Sequence, residues 1–261
     1  MEELYQHFRK EERTFIDQVL QWKNEVVDYH IPKLTPFLDP REQMILASII
    51  GKNEDVLVKF CGGNKTVERK RALLYPPYYE VKDEDFSLQY FEIIYPQKFV
   101  SLSHRDVLGA LMSLGIKREK FGDILLQDKR IQIIVAKEIA DYVLIHLTSV
   151  GQAKVKLKEI KKDELFFVQE EWEEKTATVA SLRLDACIAE IYGLSRAKAA
   201  QLIQSELVKV NWKTIDEPSF LLQENDYISV RRYGRSKLLA VEGLTKKGKT
   251  RIKFGLKKSP T

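Results

Sequence analysis

The chain has 261 residues, 44% hydrophobic and 31% charged, which allows two or three small cores. No apolar run approaches the roughly 20 residues of a bilayer-spanning helix, and the charged start MEELYQHFRKEER lacks a signal peptide's apolar stretch. These features point to a soluble, cytoplasmic protein. The net charge of +5 hides an asymmetry: from Ser195 onward 15 Lys+Arg face 6 Asp+Glu, and the preceding 194 residues carry 28 against 32. Positive charge gathered at one end suggests a polyanion partner, either nucleic acid or an anionic membrane surface.

The first segment, 1–85, reads as a small α/β domain. Leu4, Phe8, Phe15, Val19, Trp22 and Val26 recur at helical spacing until Ile31-Pro32. A second helix is punctuated by Asp39 as N-cap, Pro40 at its first position and Gly51 beyond its end. Strands are expected at Val56 to Phe60 and Arg71 to Tyr75, around a glycine turn at Gly62-Gly63.

The second segment, 86–168, has the order β-α-β-β-α-β. Its elements are a strand Leu88 to Tyr95, a helix Ser103 to Leu114 and strands Asp123 to Gln127 and Arg130 to Val135. A helix Lys137 to Leu147, burying Ile139, Val143, Leu144 and Leu147, and a strand Ala153 to Ile160 complete it. RNA-recognition domains use this split ferredoxin-like order among many others, so the order alone does not assign a function. The third strand, Arg130 to Val135, carries none of the aromatics on which such domains stack bases.

An acidic stretch, Gln169 to Thr178, reads as a linker to the third segment, 181–261. Helices are expected at Leu182 to Ile191 and, capped by Ser195, at Arg196 to Ser205. Strands follow at Val208 to Val210 and Tyr227 to Arg231, then a basic hairpin joining Lys237 to Val241 with Arg251 to Phe254.

This third segment resembles the S4 RNA-binding domain family. The resemblance rests on RLD opening the first helix, SR-x-x-A-x-x-LI on the second, V-x-VN at the first strand, a proline-serine, and Asp226 before the last strand. Glu206, Trp212 and Asn225 stand where that family usually has glycine. The free N–H groups at the start of the Ser195 helix suit a phosphate, Arg196 can fork onto one, and Lys198 adds a point charge. The resemblance implies RNA contacts from Arg183, Ser195, Arg196, Lys198, Gln201, Lys209, Asn211 and Lys213. Arg231 and Arg232, with Lys246, Lys247, Lys249 and Arg251 of the tail, extend the expected phosphate grip. Asp185 is expected to be structural, capping a helix or orienting an arginine. About five neutralised phosphates would give a log–log salt slope of roughly −3.5 to −4.5.

The whole chain resembles the YlmH family, whose genes sit in cell-division clusters of Gram-positive bacteria. The matching runs are LSHRDVLGALMSLGIKREKFGDI, from Leu102 to Ile124, and GRSKL and KKGKTR in the tail. The resemblance implies an α+β protein of three small domains, with an RNA-recognition-like middle domain ahead of the S4 domain. It also implies a role around ribosomes, because S4 domains occur in factors acting on large subunits that carry peptidyl-tRNA. Arg105, Lys117 and Arg118 are candidates for a second RNA contact. The expected function is non-enzymatic binding of structured RNA, rRNA or tRNA on a ribosomal particle, without DNA specificity. A cell-division adaptor is the alternative from another class.

Enzymatic readings find little support. His104-Arg105-Asp106 spells a kinase catalytic tripeptide, but Leu111 stands where the asparagine is required. Arg183-Leu184-Asp185 is similar to a pseudouridine-synthase motif, yet no residues remain for a separate catalytic domain. Cys61 and Cys187 are 126 positions apart and expected to be buried thiols. His7, His30, His104 and His146 share no ligand spacing, so neither metal nor cofactor is expected.

Overall fold

The structure is a computed structural model that describes residues 8, 12–51, 55–167, 172–245 and 248–257. Two compact units divide the chain, Met1–Val168 and Gln169–Ser259, so the expected first and second segments share one unit.

In the first unit, helix α1 (Arg13–Tyr29) buries Ile16, Val19, Trp22 and Val26 along one stripe, and Leu4 lies outside the described residues. Strand β1 (Lys33–Leu38) follows, unforeseen because Pro36 interrupts the pattern. The proline is tolerated because β1 is an edge strand and its register slips between Leu34 and Phe37. Helix α2 (Pro40–Ile50) is closed at its start by a reciprocal capping box between Asp39 and Glu42. Strands β2 (Leu57–Cys61) and β3 (Lys70–Tyr75) complete a sheet of order β1-β3-β2.

The rest of the unit is β4 (Leu88–Ile94), α3 (His104–Ser113), β5 (Phe121–Gln127), β6 (Arg130–Ala136), α4 (Ala140–His146), a small ribbon of β7 (Ser149–Val150) and β8 (Ala153–Lys154), and β9 (Lys156–Ile160). The sheet order β5-β6-β4-β9, antiparallel throughout, is the ferredoxin-like arrangement that the element order predicted. Ser103 and Asp106 cap α3 reciprocally. Leu144 is 37% exposed, against expectation. A 3₁₀ turn at Lys137–Ile139 changes the phase of the helix, leaving Ala140 and Val143 as its inward positions.

Strand β6 is buried on both faces. Ile131, Ile133 and Val135 join the core under α3 and α4. On the opposite face Ile134 and Ala136 pack with Phe37, Val67, Leu125, Ile160 and Leu165. The fit is close enough that a side chain at Gly122 would meet Phe37 at 2.8 Å. Polar contacts fix the same junction. Asp123 accepts from the Glu68 and Arg69 N–H groups at 2.6 and 3.2 Å. Buried Arg71 donates to the Thr35 and Ser87 carbonyls and to Glu138.

The second unit begins where a linker was expected. Residues 172–179 form strand β10 (Trp172–Val179), paired along its whole length with β15 (Thr250–Lys257). Between them lie α5 (Leu184–Tyr192), α6 (Arg196–Gln204), β11 (Val208–Val210), β12 (Lys213–Thr214), β13 (Tyr227–Val230) and β14 (Gly234–Leu244), giving a sheet of order β10-β15-β14-β13-β11-β12. Leu184, Cys187, Ile188, Ala199, Leu202 and Ile203 of the helices pack on Val208, Ile228, Leu238, Ile252 and Phe254 of the sheet. Arg183 makes an isolated bridge to Leu221, and α5 starts at Leu184, two residues later than expected. No helix among the described residues is long and apolar enough to cross a membrane.

Candidate nucleic-acid interface

The starts of α5 and α6 are joined by one carboxylate. Asp185 is 5% exposed and accepts from Arg183 at 3.1 and 3.2 Å, from Arg196 at 3.2 and 3.4 Å, and from the Ala186 N–H at 2.8 Å. Burial pulls its pKa upward, but the two guanidiniums and the N–H outweigh that and hold it below the ordinary carboxylate value. Two arginines eleven and two positions away in sequence are thus aimed by one acid. The same contacts place the buried Asp185 carboxylate under two guanidiniums.

Ser195 caps α6, its hydroxyl accepting from the Lys198 N–H at 3.2 Å, and the Lys198 ammonium reaches Gln201 at 3.1 Å. Ser195, Arg196, Lys198 and Gln201 are all exposed. Arg183, Ser195, Arg196, Lys198 and Gln201 therefore form one polar group around the starts of the two helices.

The turn residues explain the glycine departures. Glu206 adopts φ +56° at the end of α6, where Glu206 and Leu207 N–H groups bond back to Ile203 and Leu202, a closure that requires the left-handed region. Asn211 and Trp212 adopt φ +47° and +63° as the two-residue loop between β11 and β12, the type I′ geometry that favours Asn-Gly. Asn225 has φ +71°. Each position needs the conformation glycine provides, and each holds a bulkier residue.

Asn211 is committed to this turn. Its amide donates to Asp226 at 2.7 Å and accepts from the Tyr227 N–H at 2.9 Å, so the amide expected to meet RNA is engaged on both sides within the fold. Lys209 and Lys213 flank it, paired through their backbones, and their side chains have no hydrogen-bond or ion-pair partner among the described residues.

The remaining expected cations fall elsewhere. Arg231 and Arg232 form the β13–β14 turn, at the opposite end of β11 from Asn211, where the Arg231 N–H meets the Leu207 carbonyl. Lys249 and Arg251 sit near the far tip of the ribbon. Arg251 pairs with Gly243, six residues beyond Lys237, which is about 20 Å along the strand. Lys246 and Lys247 lie outside the described residues. In the first unit Arg105 and Lys117 are exposed, but Arg118 is turned inward. Its guanidinium donates to the Phe121 and Gly122 carbonyls at 2.6 and 3.2 Å, and burial beside Arg69 lowers its pKa to about 10. Arg118 is therefore spent on the fold.

Sequence reading missed an aromatic group on the outer face of the second sheet. Tyr227 lies 5.2 Å from Trp212 and 5.8 Å from Trp172, with the Lys237 ammonium 4.8 Å over its ring. Gly255 leaves room for Trp172, which an added Cβ would meet at 2.9 Å. The only local signal was alternation in the GRSKL run, because the rings come from three distant stretches. Cys187 is buried and its thiol pushed up to about 12, whereas Cys61 is only half-buried. Among the described residues no group of His, Cys, Asp or Glu could hold a metal ion.

Two family models match the chain. One, described as "Putative RNA-binding domain in YlmH", covers residues 81–164, and the S4 domain covers 182–228. The chain is 47% identical over 254 residues to "Ribosome-associated protein quality control protein P2" of Bacillus subtilis, an alignment covering 97% of this chain and 98% of that protein. It belongs to the YlmH family. A solved structure described as "Cell division protein ylmH from Streptococcus pneumoniae" is 35% identical with a TM-score of 0.53, over 61% of this chain and 97% of that one. The small ribosomal subunit protein uS4 of Leptothrix cholodnii is 35% identical over 63 residues, 24% of this chain and 30% of that protein. In this YlmH-family chain the S4 match contains the whole Asp185 clamp, the α6 cap and the Asn211–Asp226 turn.

Proposed function

We propose that this protein grips structured RNA, rRNA or tRNA on a ribosomal particle, through the polar group at the starts of α5 and α6. It acts by binding and not by catalysis, in translation or in rescue of stalled large subunits. The observation that carries this reading is Asp185 aiming Arg183 and Arg196 together beside the exposed Ser195–Lys198 turn. Guanidiniums held in fixed directions can fork onto phosphates with less side-chain entropy lost on binding. The B. subtilis relative is named as ribosome-associated, and the match to uS4 falls in a ribosomal protein. Arg183, Ser195, Arg196, Lys198, Gln201, Lys209 and Lys213 are the proposed contacts, with Arg231, Arg232 and Arg251 as outlying phosphate partners.

A second reading, an adaptor of the division machinery, draws on the name of the S. pneumoniae relative. Co-sedimentation of the full chain with ribosomal particles separates the two. The Arg196→Glu, Lys198→Glu double variant is expected to leave the pellet, and the parent's binding should weaken with salt at a log–log slope of roughly −3.5 to −4.5. Unchanged co-sedimentation of the double variant would refute the α6 anchor and favour the adaptor.

A further inference from the structure

RNA-recognition domains stack bases on the open face of the sheet, and in this unit that face is closed. Ile134 and Ala136 lie under Phe37, Val67 and Leu165. Gln132, fully buried, pins the crossing segment by donating to the Glu164 carbonyl at 2.9 Å and accepting from the Phe166 N–H at 2.8 Å. An RNA contact made by this unit must therefore lie off the sheet face.

One end of the sheet has the chemistry that the face lacks. β4 ends there, β6 and β9 begin there, and α3 starts there, since Ile94 pairs with Lys156 and Ile93 with Ile131. The same end holds the β5–β6 turn at Asp128-Lys129 and, just before β9, Lys154. The Tyr95 hydroxyl, donating to the Lys129 carbonyl at 2.5 Å, ties the loop after β4 to that turn. Topology thus brings Lys98, Arg105, Lys129, Lys154 and Lys156 to one rim. All five are exposed, and none has an ion-pair partner among the described residues.

Phe99 stands among them and is 88% exposed, the highest value of any large apolar side chain described. A lone exposed apolar residue is ordinary; this one is held in place. Gln97, Phe99 and Val100 N–H groups bond back to the Tyr95 and Pro96 carbonyls, while Val100 and Leu102 on the same loop are packed into the core. The loop turns its other apolar residues inward and presents one aromatic ring outward at the end of the sheet where those cations gather.

We propose that this rim is a second RNA-contacting surface, on which Phe99 stacks against an unpaired base while Lys98, Lys129, Lys154 and Lys156 take the flanking phosphates. Stacking tolerates any base, since every base has a π-face, and the lysines supply the attraction for the backbone on either side. The inference rests on the reading that this protein binds RNA, and it is tested so that the two can fail separately.

The full chain is titrated with a labelled stem-loop RNA and with the same stem in which the loop is replaced by base pairs. Phe99→Ala should weaken stem-loop binding by about 5- to 150-fold and leave the paired RNA within about twofold. Because the ring is exposed, melting should not change. A Lys98→Ala, Lys129→Ala, Lys154→Ala variant should flatten the stem-loop salt slope by roughly 2 to 3. If both variants bind the stem-loop as the parent does, while Arg196→Glu, Lys198→Glu loses binding, the rim is overturned and the α6 anchor stands. Equal losses of Phe99→Ala on both RNAs overturn the stacking role. Failure of the parent to bind either RNA overturns both readings together.

Discussion

Replacing Asp185 by Asn keeps the shape of the side chain and removes its charge. The carboxylate accepts five bonds. Oδ1 takes the Arg183 Nε, the Arg196 guanidinium and the Ala186 N–H, and Oδ2 takes one bond from each arginine. The amide retains one acceptor and turns an NH₂ toward the donors that Oδ2 served, so two charge-assisted bonds are lost. Fully buried, each would be worth about 1.5–3 kcal/mol. Arg183 and Arg196 are 37% and 55% exposed, and solvent screening reduces each to roughly 0.5–1 kcal/mol. The total of about 1–2 kcal/mol should lower the melting temperature of the second unit by about 4–16 °C. Fluorescence of Trp172 and Trp212 follows that unit, with Trp22 reporting on the other. The sign with pH is set by the folded carboxyl lying below its ordinary value. Its contribution is present above the unfolded pKa and lost as pH falls through the folded one, so the difference between Asp185→Asn and parent should close in acid. Melting curves that coincide within about 1 °C at pH 7 would refute the clamp.

Three further substitutions probe the fold. Gln132→Leu leaves the Glu164 carbonyl and the Phe166 N–H without their buried partner, at about 1–3 kcal/mol each, and should raise hydrogen exchange at Phe166; an unchanged exchange rate there would contradict the pinning role. Glu206→Gly relieves a left-handed residue that costs about 1–2 kcal/mol and should slightly raise the second unit's melting temperature. Trp212→Gly offsets the same relief by losing the Tyr227 contact, about 0.5–1.5 kcal/mol, plus half-buried area, so it should melt no higher than the parent. Equal gains in both would show that the aromatic group contributes nothing.

Much of the molecule was legible locally. Caps at Asp39, Ser103 and Ser195, apolar stripes, and the β-α-β-β-α-β order depend on neighbours within a few residues, and the structure has them where short-range rules put them. The same holds for the places in the S4 segment where glycine is missing. Glu206, Trp212 and Asn225 all have positive φ, because a turn's backbone demand is written in its length and flanks.

What escaped local reading depends on distant partners. β10 is acidic and looked like a linker; a strand over 70 residues later completes it. β1 hides behind Pro36, which only an edge position with a slipped register allows. Arg118 and Asn211 looked like free polar groups until the fold supplied their partners. That Phe37, Val67 and Leu165 close one face of the middle sheet had no local signal either. By itself the sequence determined most of the elements, the S4 segment and the sign of its charge, since those follow from spacing and composition. Which cations share a surface, which acid aims them and which sheet face is closed were decided by tertiary structure, since burial and ion pairing join residues the chain keeps far apart.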